Sequence, residues 1–370
     1  MQIITVVGAR PQFIKAAAMS QALAATQAGP QPIQEKILHT GQHFDAAMSD
    51  QFFSELGIPE PAFHLGIGGG SHGANTGRML EAIEMVLLDV RPDAVLVYGD
   101  TDSTLAGALA ASKLKIPVLH VEAGLRSFNR HQPEEQNRVL TDHLAELCFA
   151  PTDTAVGHLK LEGISAERIV RTGDVMADAA RIFGEMAEAK AAELLALGPL
   201  QGLSQAHEQP FVLATIHRAE NTDDPAILRA ILTALGEASL PVLLPLHPRT
   251  RSRIAEHGLE PLLQSLTITE PLGFLAMVLL ERQAALVVTD SGGLQKEAFL
   301  QGTACVTVRR ETEWVELLDS GWNRLADPAD SAAVLWAMGQ QLALDVGQPR
   351  PPLYGDGHAA DAIVARIQSL

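Results

Sequence analysis

The sequence predicts an α/β protein built from two successive doubly wound units. Three observations carry that expectation. Short runs rich in Val, Ile and Leu alternate with longer Ala- and Leu-rich stretches, the pattern of parallel strands joined by helical crossovers and covered on both faces. The alternation pauses between about residues 177 and 209 and then restarts. Finally, 370 residues exceed what one ordinary core accommodates.

Strands of the first half are expected at Ile3–Val7, Lys36–His39, Ala94–Tyr98, Val118–Val121, Leu147–Ala150 and Ile169–Arg171. Helical patterns lie between them at Gln12–Ala25, Gly77–Leu88, Ser103–Lys113 and Glu134–Glu146. The pause is an Ala/Glu-rich helix followed by the polar loop GPLQGLSQAHEQP, residues 198–210. Strands resume at Phe211–Thr215, Val242–Leu246, Leu266–Ile268, Leu286–Thr289 and Ala304–Val308. The expected division is a first domain over residues 1–173, a second over 174–353, and a C-terminal helix over 354–370 that packs back on the first. In such sheets ligands sit beyond the C-terminal ends of the strands. Residues just past each strand are therefore the ones to weigh.

Composition narrows the partners. A formal net charge of -17 speaks against nucleic acid, although a few placed cations and backbone N–H groups can still hold a small anion. Cys148 and Cys305 lie in apolar runs and read as buried free thiols, which places the chain in a reducing compartment, the cytoplasm. The start MQIITVVGARPQ has no basic n-region and a strand-length apolar run, unlike a signal peptide. The densest apolar stretch, FLAMVLL, stops at Glu281, short of a membrane span. Histidines are scattered, without H-E-x-x-H or a cysteine pair, so no metal is expected. No G-x-S-x-G elbow suggests a serine hydrolase.

Several strand exits carry chemistry. After the first strand, VVGARPQFIK offers Gly8 for a tight turn and Pro11 for the first helical turn. Arg10 and Lys15 there could face an anion, or be plain surface cations. GIGGGSHG holds a literal G-x-G-x-x-G at Gly68, Gly70 and Gly73. No buried strand precedes it and no acid follows at the required place, so it reads as a flexible loop and not as an NAD site. HTGQHFD supplies His39, His43 and Asp45, no more than a polar loop. YGDTDSTLA puts Asp100 directly past a strand, where Asp100 or Asp102 could be an ordinary helix cap. HVEAGLR brings Glu122 to the next strand tip, so Asp100 and Glu122 can share one site.

QPEEQNRVLTDH opens a helix at Pro133, with Glu134 and Glu135 at its positive end. Arg138 stands at i,i+4 spacing from both Glu134 and Asp142. Capping and pairing would account for these acids. The alternative is that Glu122 and Glu134 work on one substrate. The second half repeats this grammar: His217 with Arg218, and His247 with Arg249, follow strands and read as a cationic rim. The most specific motif is VVTDSGGLQKEAFLQG. After Asp290, the residues Ser291, Gly292 and Gly293 open a helix with bare backbone N–H groups, which suits a phosphate. Glu297, one turn on, can accept two hydroxyls, as from a ribose; a glycine-rich cap is the plain alternative.

Taken together, GARPQFIK, TGQHFD, YGDTDSTLA, HVEAGLRSFNRHQPEEQNR, CFAPT, ATIHRAEN, PLHPR, TDSGGLQKEA and YGDGHA resemble the non-hydrolysing UDP-N-acetylglucosamine 2-epimerase family. They follow the family order from residue 8 almost to the C-terminus. The resemblance implies two Rossmann-like domains in the manner of the B-type glycosyltransferases (GT-B-like), with a UDP-sugar in the cleft between them. It also implies a homodimer and no NAD or metal cofactor. The implied reaction inverts C2 of a UDP-2-acetamido sugar, from UDP-GlcNAc to UDP-ManNAc, by elimination and re-addition of UDP through a glycal. By motif, Asp100, Glu122 and Glu134 become the acid/base set, with His217 near the leaving diphosphate. Arg10, Lys15, Ser291, Gly292, Gly293 and Glu297 would hold UDP, and Leu272 of PLGFLAM would approach uracil. Gln42, His43, Arg218 and His247 match positions lining the active site or an adjoining regulatory site known in some bacterial members.

One departure bears on the substrate. Family members acting on UDP-N-acetylglucosamine often carry T-E-R-P-E after the last strand, whereas this chain has ETEWVE, with Trp314 in place of the arginine. A tryptophan can stack on a planar group but cannot pair with phosphate. RSFNRHQPEE and ETEWVE look more like the branch acting on UDP-2,3-diacetamido-2,3-dideoxy-glucuronate, whose extra carboxylate Arg130, Arg309 or Arg310 could meet. Residues 126–131 lie where extra substituents could be read. Two other classes would share the phosphate turn: a glycosyltransferase, which needs an acceptor, and a non-catalytic nucleotide-sugar sensor, which needs no acids.

Overall fold

The computed structural model describes residues 1–42, 55–196 and 209–370. His43, Asp45 and all but the last two residues of the 198–210 loop lie outside them. The chain divides into two compact units, Met1–Ala179 with Pro352–Leu370, and Ala180–Pro351. The division falls inside the helix Val175–Ala189, past the boundary near residue 173 read from the sequence.

The first unit holds β1 (Gln2–Val7), β2 (Gln34–His39), β3 (Phe63–His64), β4 (Ala94–Tyr98), β5 (Val118–Val121), β6 (Leu147–Ala150) and β7 (Ile169–Arg171). They form one parallel sheet in the order β3-β2-β1-β4-β5-β6-β7. The second unit holds β8 (Val212–Thr215), β9 (Val242–Pro245), β10 (Thr267–Thr269), β11 (Leu286–Thr289), β12 (Cys305–Thr307) and β13 (Asn323–Leu325). Its parallel sheet runs β10-β9-β8-β11-β12-β13. Both are doubly wound, and each reverses direction beside its first strand, at β1/β4 and at β8/β11. Strand interiors are apolar on both faces: in the first sheet Ile4, Val6, Val95 and Val97 are fully buried on one face and Ile3, Val7 and Leu96 on the other, and in the second Val212, Ala214, Val288 and Val306 are fully buried on one face and Leu213 and Val287 on the other. Burial of each such Val or Ile contributes roughly 1.5–3 kcal/mol. Both cysteines are buried free thiols, as their apolar settings suggest.

Two strands escaped the sequence reading. β3 has two residues and β13 three, too short and too exposed to show an apolar run. The helix His72–Val90 begins well before its expected start at Gly77. Ser71 occupies its N-cap position, so Gly73 lies in the first helical turn, and only the front of GIGGGSHG is loop. Asn75, Met79, Ile83 and Leu87, four residues apart, are its buried stripe, and this stripe carries the helix back through the glycines. The C-terminal helix Ala359–Gln368 belongs to the first unit. The buried carboxylate of Asp178 accepts the N–H groups of Ala359 (3.0 Å) and Ala360 (2.9 Å), capping that helix from another one.

Register sets the site. Tyr98 pairs with Val121, so Gly99-Asp100 and Glu122 leave the first sheet side by side. Thr289 pairs with Thr215, so Asp290 and Ile216-His217 leave the second sheet in the same way. No described helix is long and apolar enough to cross a membrane.

Candidate active site

At the first reversal, Gly8 ends β1 where any side chain would collide with Thr40 and Ser103. Gln12, which the sequence reading passed over, ties the two strand tips together. Its carbonyl oxygen accepts the N–H groups of Gly8 (2.8 Å) and Ala9 (3.1 Å), and its amide donates to the Tyr98 carbonyl (3.0 Å) and to Thr104 (2.9 Å). Thr101 caps the helix Asp102–Lys113, accepting the Thr104 N–H at 3.3 Å. Neither Asp100 nor Asp102 is therefore the cap, which corrects the plainer sequence reading. Asp102 is buried against His72 Nδ1 (3.0 Å) and Asn137 Nδ2 (3.3 Å). Asp100 faces Arg138, whose Nε lies 3.2 Å from its carboxylate.

Glu122 sits in the left-handed region at φ 70, where a residue with a side chain is strained. Its carboxylate is ion-paired with Lys15, which is itself buried. Gly99, at φ 61, lies against the pair: a Cβ there would be 3.2 Å from Glu122 Oε2 and 3.6 Å from Lys15 Nζ. Burial works against the Lys15 ammonium, but Glu122, with Asp174 and Asp100 beyond it, holds it above its ordinary value. Burial pushes the Asp100 carboxyl up; Arg138 pulls it down, Glu122 adds to the rise, and the net shift is upward. Two carboxyls thus stand at adjacent strand tips, each with a cation against it. Lys15, read from sequence as an anion holder, is engaged by Glu122; Arg10, its expected companion, is exposed at the first turn of the helix Arg10–Ala25.

Glu134 and Glu135 part company. Glu135 is buried and accepts the N–H groups of Ser127 and Phe128, both at 2.9 Å, and Arg138 Nη1 at 2.9 Å. Glu134 is exposed on the first turn of the helix Pro133–Leu144. Arg138 pairs with Asp100 and Glu135, and not with Glu134 or Asp142 as i,i+4 spacing suggested. The reason is tertiary: Asp142 is fully buried against His120 and Arg126. Arg126 bridges Asp142 (2.8 Å) and Glu162 (2.6 Å) with its side chain 1% exposed, so it is unavailable to read a sugar substituent. Gln42 accepts the N–H (3.0 Å) and hydroxyl (2.6 Å) of Ser103, tying the end of β2 to the same helix start as Gly8.

At the second reversal the buried acid Asp290, which the sequence reading left without a role, organises the turn. It accepts the backbone N–H groups of His217 (3.0 Å) and Arg218 (2.9 Å) and the side-chain amide of Asn221 (3.1 Å). His217 Nδ1 lies 3.2 Å from it, which orients the ring. Ser291 caps the helix Gly292–Gln301 by accepting the Leu294 N–H at 3.3 Å. Ser291 and the glycines therefore combine a cap with a helix start whose first N–H groups have no helical acceptor. Glu297 is half-buried one turn on, and Glu281, buried on the helix Phe274–Gln283, is lifted well above the carboxylate range by burial and then by the charge of Glu297. Leu272 precedes that helix and is half-buried.

The cationic rim is only partly present. Arg249 is bound to Asp223 at 2.7 and 2.8 Å. His247 Nδ1 accepts the Arg249 N–H at 3.2 Å, which requires a bare nitrogen, and burial followed by the nearness of His217 holds its ring below its ordinary value. The two imidazoles lie 5.8 Å apart. Arg218 stays beside the turn, 3.7 Å from where a Gly292 Cβ would be. Trp314 donates its indole N–H to the Gly292 carbonyl at 2.9 Å and carries Lys296 4.3 Å from its ring centre. It is thus a direct support of the turn. Arg309 pairs with Glu313 (3.1 Å) and Arg310 with Asp327 (3.5 Å), while Arg130 is exposed. Among the described residues no group of three His, Cys, Asp or Glu is placed to hold a metal ion.

Comparison with known proteins agrees with the motif order. The family model described as UDP-N-acetylglucosamine 2-epimerase matches residues 26–368. The UDP-2,3-diacetamido-2,3-dideoxy-D-glucuronate 2-epimerase of Pseudomonas aeruginosa is 49% identical over 100% of both chains. The UDP-N-acetylglucosamine 2-epimerase of Methanocaldococcus jannaschii is 42% identical over 88% of both. A crystal structure of the M. jannaschii UDP-GlcNAc 2-epimerase in complex with UDP-GlcNAc and UDP superposes with a TM-score of 0.84 at 37% identity, covering 100% of both chains. The UDP-GlcNAc 2-epimerase of Neisseria meningitidis bound to UDP-GlcNAc gives 0.86 at 29% identity over the same coverage. The two-sheet architecture is that of these GT-B-like enzymes.

Proposed function

The chain belongs to the UDP-N-acetylglucosamine 2-epimerase family, whose named relatives are isomerases, and we propose that it inverts C2 of a UDP-linked 2-acetamido sugar. The observation that carries this reading is the pair of carboxyls at adjacent strand tips, Glu122 beside Lys15 and Asp100 beside Arg138. C2 inversion needs a base on one face of the ring and an acid on the other, and two neighbouring carboxyls, with burial raising that of Asp100, suit those tasks. In the proposed sequence a carboxylate takes the C2 proton, the C1–O bond breaks with its electrons leaving on UDP, and a C1=C2 glycal remains. UDP then adds back at C1 while a proton reaches C2 from the opposite face. Glu134, exposed at the start of its helix, is the third candidate acid.

The second unit has the chemistry to hold UDP. The Ser291 N–H is taken by the Thr289 hydroxyl at 3.0 Å, and the N–H groups at Gly292 and Gly293, with the Ser291 side chain beside them, suit a diphosphate that departs and returns, because backbone dipoles stabilise negative charge without titrating. His217, oriented by Asp290, is the candidate near that diphosphate. Glu297 and Leu272 are assigned to ribose and uracil, and Arg10, Gln42 and Arg218 to contacts with the UDP-sugar. No step requires NAD or a metal. A homodimer in the cytoplasm accompanies this reading.

A specific observation favours a 2,3-diacetamido uronate over N-acetylglucosamine as the sugar. Trp314 supports the phosphate turn through its indole N–H, where the epimerases of N-acetylglucosamine often have an arginine, and the 49% identical relative is named for the diacetamido sugar. The test is incubation of the enzyme in D2O with each UDP-sugar in turn, following the C2 proton by NMR. Deuterium at C2 with the manno epimer supports the reaction, and the faster substrate decides between the two sugars. Absence of exchange and epimer with both would overturn it.

A further inference from the structure

His120, in β5, has a fully buried side chain with an acceptor at each ring nitrogen. Nδ1 lies 2.7 Å from Asp142 Oδ1 and Nε2 lies 2.8 Å from the Gly99 carbonyl oxygen. A carbonyl oxygen only accepts, so Nε2 carries a hydrogen; a carboxylate also accepts, so Nδ1 carries one too. The geometry is that of an imidazolium. Asp142 also binds Arg126 at 2.8 Å, and Arg126 binds Glu162. Arg168 reaches the main-chain carbonyls of Asp142 (3.4 Å) and Ala145 (2.9 Å). Cys148 donates to the Asp142 main-chain carbonyl at 3.5 Å and adds no charge, its thiol being pushed up by burial and then by Asp142. His143, half-exposed, lies 3.7 Å from Glu162 on the outer side.

The two ends of this network fall at telling places. The Gly99 carbonyl is the peptide bond into Asp100. Asp142 Oδ2 accepts the Gly124 N–H at 3.1 Å, two residues past Glu122. One buried pair therefore grips the main chain just before one candidate acid and just after the other. The gripped backbone is unusual throughout, with Gly99 at φ 61, Glu122 at φ 70 and Gly124 at φ 83. At Gly124 a side chain would also collide with Ala155 and Leu159.

We propose that His120, held as an imidazolium by Asp142, is a positioning residue that fixes the spacing of Asp100 and Glu122 without touching substrate. This rests on the C2 chemistry assigned above to those acids. Two measurements test it. In parent enzyme labelled with 15N-histidine, both His120 ring nitrogens are expected to carry a hydrogen, as their two acceptors require; a singly protonated ring overturns the proposal. The variant His120→Gln can donate one hydrogen bond along this line but not two. Its kcat is expected to fall about 100-fold, the usual cost of misplacing reacting groups by about 1 Å, with KM and UDP affinity within about two-fold of the parent. Parental kcat in that variant, or a KM that rises in step with the loss, overturns the proposal. If the variant does not fold, the ring protonation of the parent decides alone. If the parent itself exchanges no C2 proton in any UDP-sugar, the epimerase reading fails, and the 15N result still reports on the clamp.

Discussion

The two sheets reverse direction in the same way yet furnish their reversals differently. At β1/β4 the strand tips carry ionisable side chains, Asp100 and Glu122, each with a cation against it. At β8/β11 the acid points inward: Asp290 is fully buried, accepting backbone N–H groups from His217 and Arg218, and the turn offers main chain. The difference fits the two tasks proposed for the reversals. Proton transfer needs groups that change charge, and their environment must set how readily they do so. Holding a diphosphate that leaves and returns needs fixed dipoles that do not titrate.

Glu122→Gln breaks the first reversal most sharply. It keeps the shape but removes the titrating group beside Lys15, and kcat is expected to drop on the order of 1000-fold, with UDP binding retained by calorimetry. Full C2 exchange in this variant would remove Glu122 from the mechanism. Asp142→Asn acts next. It leaves His120 and Arg126 facing an uncharged amide, and loss of one partner of a buried ion pair costs roughly 3–5 kcal/mol in unfolding. The sign with pH is definite. Burial opposes the Asp142 charge, but His120 and Arg126 hold the carboxyl below its usual 3.8. Its stabilisation is therefore present above pH 3.8 and is lost as pH falls through the lower folded value. The gap in melting temperature between parent and variant should be full near pH 7 and close in acid; a gap that widens in acid would contradict the network.

Asp290→Asn applies the same change to the second reversal, where the donors are mostly neutral N–H groups. The loss is expected to be smaller, about 2–3 kcal/mol, with weaker UDP binding as the turn loosens. Equal losses at the two sites would erase the distinction between a charged and a dipolar reversal. Arg249→Ala should do least. Its guanidinium is bound to the exposed Asp223, so KM for the UDP-sugar should change less than about two-fold. A larger rise would restore Arg249 to the rim.

How much was legible beforehand depended on range. Asp100, Glu122 and Ser291 could be singled out because each stands within two residues past the end of an apolar strand, and a strand exit in a doubly wound sheet is a place for ligands. Gln12, His120, Asp142 and Asp290 could not be assigned. Gln12 looked like an ordinary helical residue, and its partners Tyr98 and Thr104 lie 86 and 92 positions away. His120 sat inside a strand and read as an apolar-run residue. Asp142 looked like the i,i+4 partner of Arg138, a local pairing that the reach of His120 and Arg126 overrode.

By itself the sequence determined the alternation of strand and helix, the order of the motifs and the residue types at the strand tips, because periodicity and turn chemistry act over a few residues. Tertiary structure alone decided which tips adjoin, that Thr101 caps where an aspartate was expected, and that Glu135 is buried while Glu134 is exposed. It also brought Lys15 to Glu122 and Arg138 to Asp100, 107 and 38 positions away. The physical reason is that proton affinity and orientation depend on burial and on the nearest charges in space, and parallel crossovers make those neighbours distant in sequence.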